Sequence, residues 1–405
     1  MLDQKFSREN NAKVKKHFYS KKWFKVFFTI LIILLIGGGF FAWKTGNLIN
    51  KISEGGILRS LSHAIPGVKD ELKGEKDGRI NVLLLGMRGE GVVGGGTLAD
   101  TIIVLSILTA ENKISMISIP RDLYVNNPGW GNKTKINAVY AAGEENNKKN
   151  GMKDMETVVG EVTGLPIHYG ASVNFESFKQ IIDAIGGVEI TLDQPFQEGI
   201  QFNKPHVCDS FFTIPTGTYE DKTVKYLSKS TGIYKTRIVA SYPLCTAPES
   251  TLECGGNFSL PAGKQTLSGE KALCYVRSRE TSSDFERAKR QQVMIKSVKD
   301  QMLSIGTLTD FSKINGILEA LGENARTDMQ LWEVKAFYDL YKKNPDVQIY
   351  QRVLENSEEG LLYNPTDMPK EVGYILLPIG DNYDRIHEMA KNIFTLQAQS
   401  DIKPK

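Results

Sequence analysis

Asp284, Arg287 and Gln291 are spaced i, i+3 and i+7, which puts three polar groups on one face of a helix beside Phe285 and Ala288. Arg277 and Arg279 arrive just ahead of that helix. Guanidiniums gathered near a helix N-terminus offer planar, forked donors that match phosphate oxygens, and the helix dipole adds to them, so the chemistry implied is polyanion binding. The alternating signs also permit a solvated basic helix end. A second constellation is Ser118-Ile119-Pro120-Arg121-Asp122. There an apolar run stops and delivers adjacent opposite charges to a sheet rim, where α/β sites gather. A surface ion pair is the plain alternative. The stretch Gly89-Glu90-Gly91-Val92-Val93-Gly94 formally matches a dinucleotide fingerprint. That fingerprint needs a helix next, however, and Thr101-Ile102-Ile103-Val104-Leu105 reads as a strand, so a glycine loop at a strand end is the better reading.

The elements that must position these groups follow from pattern. Ile80–Leu85, Thr101–Ile107 and Lys113–Ile119 are leucine-rich or β-branched runs between turn residues, as buried strands are. Helical spacing marks 153–163 and 175–185; the second follows Asn174, a good N-cap, and stops at Gly186-Gly187. Val188–Leu192 is a further strand, so strands alternate with helices and a layered α/β/α fold with a central mixed β-sheet is expected. Residues 193–262 show little periodicity and read as an insertion. Helices are expected again over 268–277 and 284–304, the latter with a core stripe of Phe285, Ala288, Ile295 and Met302. Beyond residue 305 the pattern predicts a helix near 331–342, strands near 347–350 and 372–377, and a last helix over 383–394. These either complete the same domain or form a small subdomain.

Of the 405 residues, Val26–Trp43 form an apolar or glycine run just long enough to cross a bilayer as a helix. Trp23 and Trp43 bracket it, and the preceding residues are rich in lysine and arginine. A single-pass anchor with a cytoplasmic N-terminus and the rest outside is therefore expected, in preference to a cleaved signal peptide. Residues 1–25 are then a basic tail that meets membrane lipids, and 44–79 a stalk. The net charge of +3, much of it in that tail, argues against nucleic-acid binding. The four cysteines, Cys208, Cys245, Cys254 and Cys274, allow three pairings in an exported chain. Cys245 with Cys254 would close a short loop, and Cys274 in its apolar stretch is equally a buried free thiol.

From about Ile80 to Met302 the chain resembles the LytR-CpsA-Psr family of cell-wall ligases. The resemblance rests on Asn81 to Gly86, Ala99-Asp100-Thr101, Ser118 to Asp122, Lys135 to Tyr140, Asn174-Phe175, Gly186-Gly187-Val188 and the arginine constellation. It implies a magnesium-dependent phosphotransferase that moves a glycopolymer from a polyprenyl-pyrophosphate carrier to a peptidoglycan hydroxyl. Arg121, Arg277, Arg279, Arg287 and Gln291 would grip the pyrophosphate, Asp100 would help hold Mg2+, and Asp284 would support the arginines. Asp122 is either a general base or the partner that orients Arg121. Two positions depart from the family pattern: Arg88 stands where an aspartate is usual, and Leu98 where an arginine is. Arg88 and Glu90 are the candidates to replace the missing arginine and carboxylate. A pyrophosphatase on the same carrier and a non-catalytic lipid-binding scaffold are the rival readings.

Overall fold

A strand buried on both faces needs apolar side chains on both, so it reads as a nearly unbroken apolar run. Three such runs build the centre of the structure, a computed structural model that describes residues 71–89, 96–145, 149–304, 324–343, 347–356, 360–366 and 373–396. They are β1 (Arg79–Gly89), β2 (Gly96–Leu108) and β3 (Lys113–Ser118). The chain continues through β4 (Tyr169–Asn174), the long pair β5 (Ile214–Leu227) and β6 (Tyr234–Thr246), β7 (Ala325–Thr327) and β8 (Gln348–Val353). One six-stranded sheet has the order β7-β4-β1-β2-β3-β8. β2 runs antiparallel to β1 and to β3, β4 lies parallel to β1, and β8 lies parallel to β3. The sheet is therefore mixed. β1 and β2 pair directly as antiparallel neighbours, which removes the dinucleotide-fold reading of the intervening glycines.

Helices cover both faces of this sheet. Leu83, Leu85, Ile102, Val104 and Ile117 pack with residues of α1 (Ala138–Glu144), α2 (Gly151–Thr163) and α7 (Asp384–Asn392) in one apolar core. Ile80, Val82 and Tyr169 form a second cluster with Ala336, Phe337 and Leu340 of α6 (Leu331–Lys343). A third core joins α3 (Phe175–Ala184), α4 (Gly269–Arg277) and α5 (Asp284–Ser304) to the short strands Val188–Leu192 and Phe258–Leu260. α3 begins as its sequence predicts: Asn174 accepts from the Ser177 amide and Ser177 returns the bond, a reciprocal cap. Gly269 lets α4 sit directly on α3, where a Cβ would strike the backbone of Lys179. Gln292 of α5 ties that helix to the sheet by donating to Ser118 Oγ at 2.8 Å and to the Arg352 carbonyl at 3.1 Å.

Several expectations change. Of the two readings for the C-terminal part, the described residues beyond 324 fit completion of the same domain: β7 and β8 are the two edges of the central sheet, and Leu354, Leu362, Leu376, Ile386 and Ile393 lie in its core. Structure also starts before Ile80, since Leu72 is buried and the Lys73 amide donates to the Tyr169 hydroxyl at 2.8 Å. The strand expected near 372–377 is only Leu377–Pro378 within the described residues. On α5, Met294 rather than Ile295 is the buried apolar residue, and Phe285 and Ala288 line a cleft. The segment 193–262 contains a long β-ribbon, β5 with β6, that its sequence conceals because both faces are exposed. The cysteines pair as Cys208–Cys245 and Cys254–Cys274; Cys245 does not join Cys254, and Cys274 is not a free thiol. The apolar run Val26–Trp43 and Glu90 lie outside the described residues, and no described helix is long and apolar enough to cross a membrane.

One buried carboxylate sets a pH dependence. Glu156 on α2 has one oxygen 3.7 Å from Lys153 Nζ and the other without a hydrogen-bond partner among the described residues. Burial, with Asp328 adding to it, pushes its pKa up to about 7 from an ordinary 4.5. A raised acid pKa means that this group's stabilising contribution is complete below pH 4.5 and lost as pH rises through 7. Glu156→Gln is therefore expected to stabilise the fold at pH 8 by on the order of 2 kcal/mol and to change little at pH 4. Thermal melts of both proteins across that range test it, and parallel curves would refute it.

Candidate anion site at the sheet rim

The charged residues converge where β3 ends. Ile119 continues the pairing by donating to the Ile102 carbonyl at 2.9 Å, and Pro120 then turns the chain so that Arg121 faces a cleft lined also by Asp100, Thr101, Asp284, Phe285, Arg287 and Gln291. Asp100 comes from β2, and the last four from one face of α5, as their spacing predicts. Arg121 Nη1 donates to Asp100 Oδ1 at 3.0 Å, while its Nε lies 3.6 Å from Asp122 and 3.8 Å from Asp284. That Nε is buried without a hydrogen bond among the described residues. Burial works to lower the pKa of Arg121, but Asp100, Asp284 and Asp122 together outweigh it and the net shift is upward. Asp284 is shared: Arg287 Nη2 stands 3.3 Å and Arg279 Nη1 3.6 Å away. Arg287 is only 12% exposed, and burial lowers its pKa against the pull of Asp284.

Asp122 is held from two sides, by Lys135 Nζ at 2.8 Å and by Arg121. Gln291 lines the cleft and donates to the Val276 carbonyl at 3.4 Å. Arg88 and Arg277 form an adjoining pair rather than entering the Arg121 cluster. Both contact Glu253, Arg88 at 3.3 Å, and both lie over the Phe175 ring, at 5.9 and 4.5 Å from its centre. Burial is the main cause of the lowered pKa of Arg277. The two groups are electrostatically continuous, since Arg88 and Asp100 both act on Arg277.

The loop carrying Arg279 is rigidly placed. Arg290 of α5 donates from Nε to the Tyr275 carbonyl at 3.2 Å and from Nη2 to the Ser278 carbonyl and to Ser282 Oγ, the last at 3.1 Å. Its guanidinium also lies over Phe196, 5.3 Å from the ring centre. Buried Glu198 accepts from the Thr281 amide and hydroxyl at 3.3 and 3.0 Å. The sequence alone points to no role for Arg290, Glu198, Lys135 or Glu253. Arg290 follows Arg287 by three residues and was visible as a charge on the same helix, whereas Glu253 reaches the arginines only through a tertiary contact. Each arginine of the cluster is steadied by a carboxylate, which makes a preorganised array of donors suited to a polyanion.

A profile of the LytR_cpsA_psr family matches residues 58–369. The chain belongs to that family. The match extends beyond the resemblance read from sequence, which ended near Met302, and takes in both edge strands of the sheet. Among relatives, the Bacillus cereus protein named polyisoprenyl-teichoic acid–peptidoglycan teichoic acid transferase TagU is 26% identical over 338 residues, spanning 79% of this chain and 84% of its own. The Corynebacterium glutamicum cell wall biosynthesis protein LcpA is 25% identical over 349 residues, spanning 77% of this chain and 55% of its own. Among solved structures, TagT bound to LIIa-WTA aligns with a TM-score of 0.51 at 20% identity, over 81% of this chain and 95% of that one. A Streptococcus agalactiae protein aligns with a TM-score of 0.52 at 19% identity, over 82% and 93%. These two alignments establish a shared fold.

Among the described residues no group of three or more His, Cys, Asp or Glu could hold a metal ion. Asp100 does face the cleft beside the arginines. In general one carboxylate is enough for a magnesium ion only where phosphates and water supply its remaining oxygen ligands.

A second hollow lies at the opposite end of β2 and β3, lined by Ile107, Ile114, Phe337, Leu340 and Val347 together with Lys113. It is apolar where the arginine cleft is charged.

Proposed function

We propose that this family member is a membrane-anchored, extracytoplasmic phosphotransferase that moves a glycopolymer from a polyprenyl-pyrophosphate carrier to a peptidoglycan hydroxyl. The observation that carries the reading is the convergence of Arg121, Arg279 and Arg287 on Asp284 beside the Arg88–Arg277 pair; the names of the relatives fit it. The acceptor oxygen forms a bond to the sugar-linked phosphorus as the bond from that phosphorus to the bridging oxygen breaks. The hydroxyl proton passes to water, and polyprenyl phosphate leaves with the bridging oxygen. Such a transfer demands positioning and neutralisation of phosphate charge more than covalent protein chemistry. The forked donors of Arg121, Arg279 and Arg287 would take the phosphate oxygens, with Arg277 and Gln291 at the flank. Asp122, already engaged by Lys135 and Arg121, serves as a positioning group in this scheme. Mg2+ at Asp100 would supply further charge neutralisation.

The test is turnover of a synthetic polyprenyl-pyrophosphate oligosaccharide with peptidoglycan oligomers present, for wild type, for Arg279→Ala and with a chelator. Sugar phosphate coupled to the oligomer, lost in both controls, supports the proposal. Free sugar phosphate would make the protein a pyrophosphatase, and tight lipid binding without turnover a scaffold.

Glu253 competes with the substrate for Arg88 and Arg277 in this scheme. Glu253→Gln is expected to tighten binding of the pyrophosphate-linked lipid by about threefold to tenfold, a modest effect because Glu253 is partly exposed. Weaker binding would instead make Glu253 the support that holds both arginines in place.

A further inference from the structure

The ribbon of β5 and β6 leaves the body of the protein as a two-stranded projection. Eleven cross-strand pairs hold it together, yet among the described residues β6 pairs beyond its partner strand only at Leu244 and Cys245, with Val207 and His206. The Cys208–Cys245 bridge fastens its root at that point. Fourteen residues in β5 reach roughly 45 Å at strand rise. Nothing described covers either face, and a bare two-stranded ribbon has little stability of its own.

Its composition is that of a surface waiting for a partner. Leu227, Ile233, Tyr234 and Ile238 near the tip are 52%, 64%, 71% and 59% exposed, an apolar cluster that soluble surfaces avoid. Leu227 sits opposite Tyr234, and Thr223 opposite Ile238, so Leu227, Tyr234 and Ile238 share one face. Lys222, Lys225, Lys229, Lys235 and Arg237 lie within the same stretch, which holds no aspartate or glutamate. None of these five cations meets a carboxylate among the described residues.

We infer that the ribbon tip docks on an anionic phospholipid surface. A second copy would bring together two sets of cations that no described carboxylate compensates, and their repulsion opposes that pairing. A polyanionic glycopolymer would satisfy the lysines but offers no apolar surface for Leu227, Ile233 and Ile238. An anionic bilayer takes both: aliphatic side chains enter the headgroup–acyl boundary, tyrosines occupy the interface, and lysines extend to lipid phosphates. The inference stands apart from the proposed reaction, since it concerns residues outside the arginine cleft.

The test is hydrogen exchange of peptides spanning 222–240 in the full-length chain, reconstituted at one copy per nanodisc with disulfides intact. Phosphatidylglycerol-containing discs are compared with pure phosphatidylcholine discs, so that any anchoring by the N-terminal segment is the same in both. Exchange at the tip is expected to slow by roughly tenfold in the anionic discs, and Lys225→Glu with Lys235→Glu, or Ile233→Ser with Ile238→Ser, is expected to abolish the difference. Equal exchange in both lipids overturns the inference. Slowing that appears only with several copies per disc identifies a second copy as the occupant, and slowing only on adding a soluble polyanion identifies a polymer; either result also overturns it.

Discussion

Replacing Arg287 by alanine is expected to lower turnover of a polyprenyl-pyrophosphate glycan by about a hundredfold to a thousandfold, the usual consequence of deleting one preorganised donor from a charge-stabilising site. Three features make this residue the most sensitive of the cluster. Its side chain is 12% exposed, so water cannot readily replace the lost donors. It stands 3.3 Å from Asp284, the carboxylate that Arg121 and Arg279 also approach. It is also carried by α5, which Gln292 fastens to β3 and β8, so its position is fixed relative to the sheet. Arg287→Lys should recover only part of the loss, because an ammonium retains the charge but not the planar fork. Steady-state turnover, with thermal melts to show that each variant is folded, checks this. Activity within threefold of wild type would remove Arg287 from the charge-neutralising set.

The second large effect is expected from the Cys254–Cys274 bridge. It closes a loop with a sequence separation of 20, and chain entropy alone gives such a bridge on the order of 3 kcal/mol. Cys274 lies three residues before Arg277 on α4, and Cys254 directly follows Glu253, so the bridge also sets the contact between Glu253 and Arg277. Replacing both cysteines by serine should therefore reduce stability and disturb turnover together. Replacing Cys208 and Cys245, whose separation is 37, should also cost stability but leave turnover close to wild type, because that bridge fastens the root of the ribbon. Denaturant titrations and turnover of both double variants under non-reducing conditions separate the two roles. Equal effects on turnover would show that the Cys254–Cys274 bridge has no special bearing on the site.

Some of this organisation is plain along the chain. α3 is bounded by a residue that caps it and by glycines that stop it, and both signals are local. Asp284, Arg287 and Gln291 share a face because a helix repeats every 3.6 residues, and the cleft lining bears that out. The ribbon was not legible for the opposite reason: a strand exposed on both sides has no apolar alternation to betray it. Edge strands β7 and β8 were equally obscure in their placement. β7 has three residues, and β8 pairs with β3 across more than 200 residues of chain, a register that no local window contains.

The sequence by itself determined the buried strands, the principal helices, the family and the arginine-rich face of α5, because each depends on the order and spacing of neighbouring residues. Tertiary structure alone decided which cysteines pair, that Glu253 rests on Arg88 and Arg277, that Lys135 and Arg121 share Asp122, and that β7 and β8 finish the central sheet. Those contacts join groups far apart in the chain. They are settled by backbone pairing and by the packing of whole elements, and so become visible only when those elements meet.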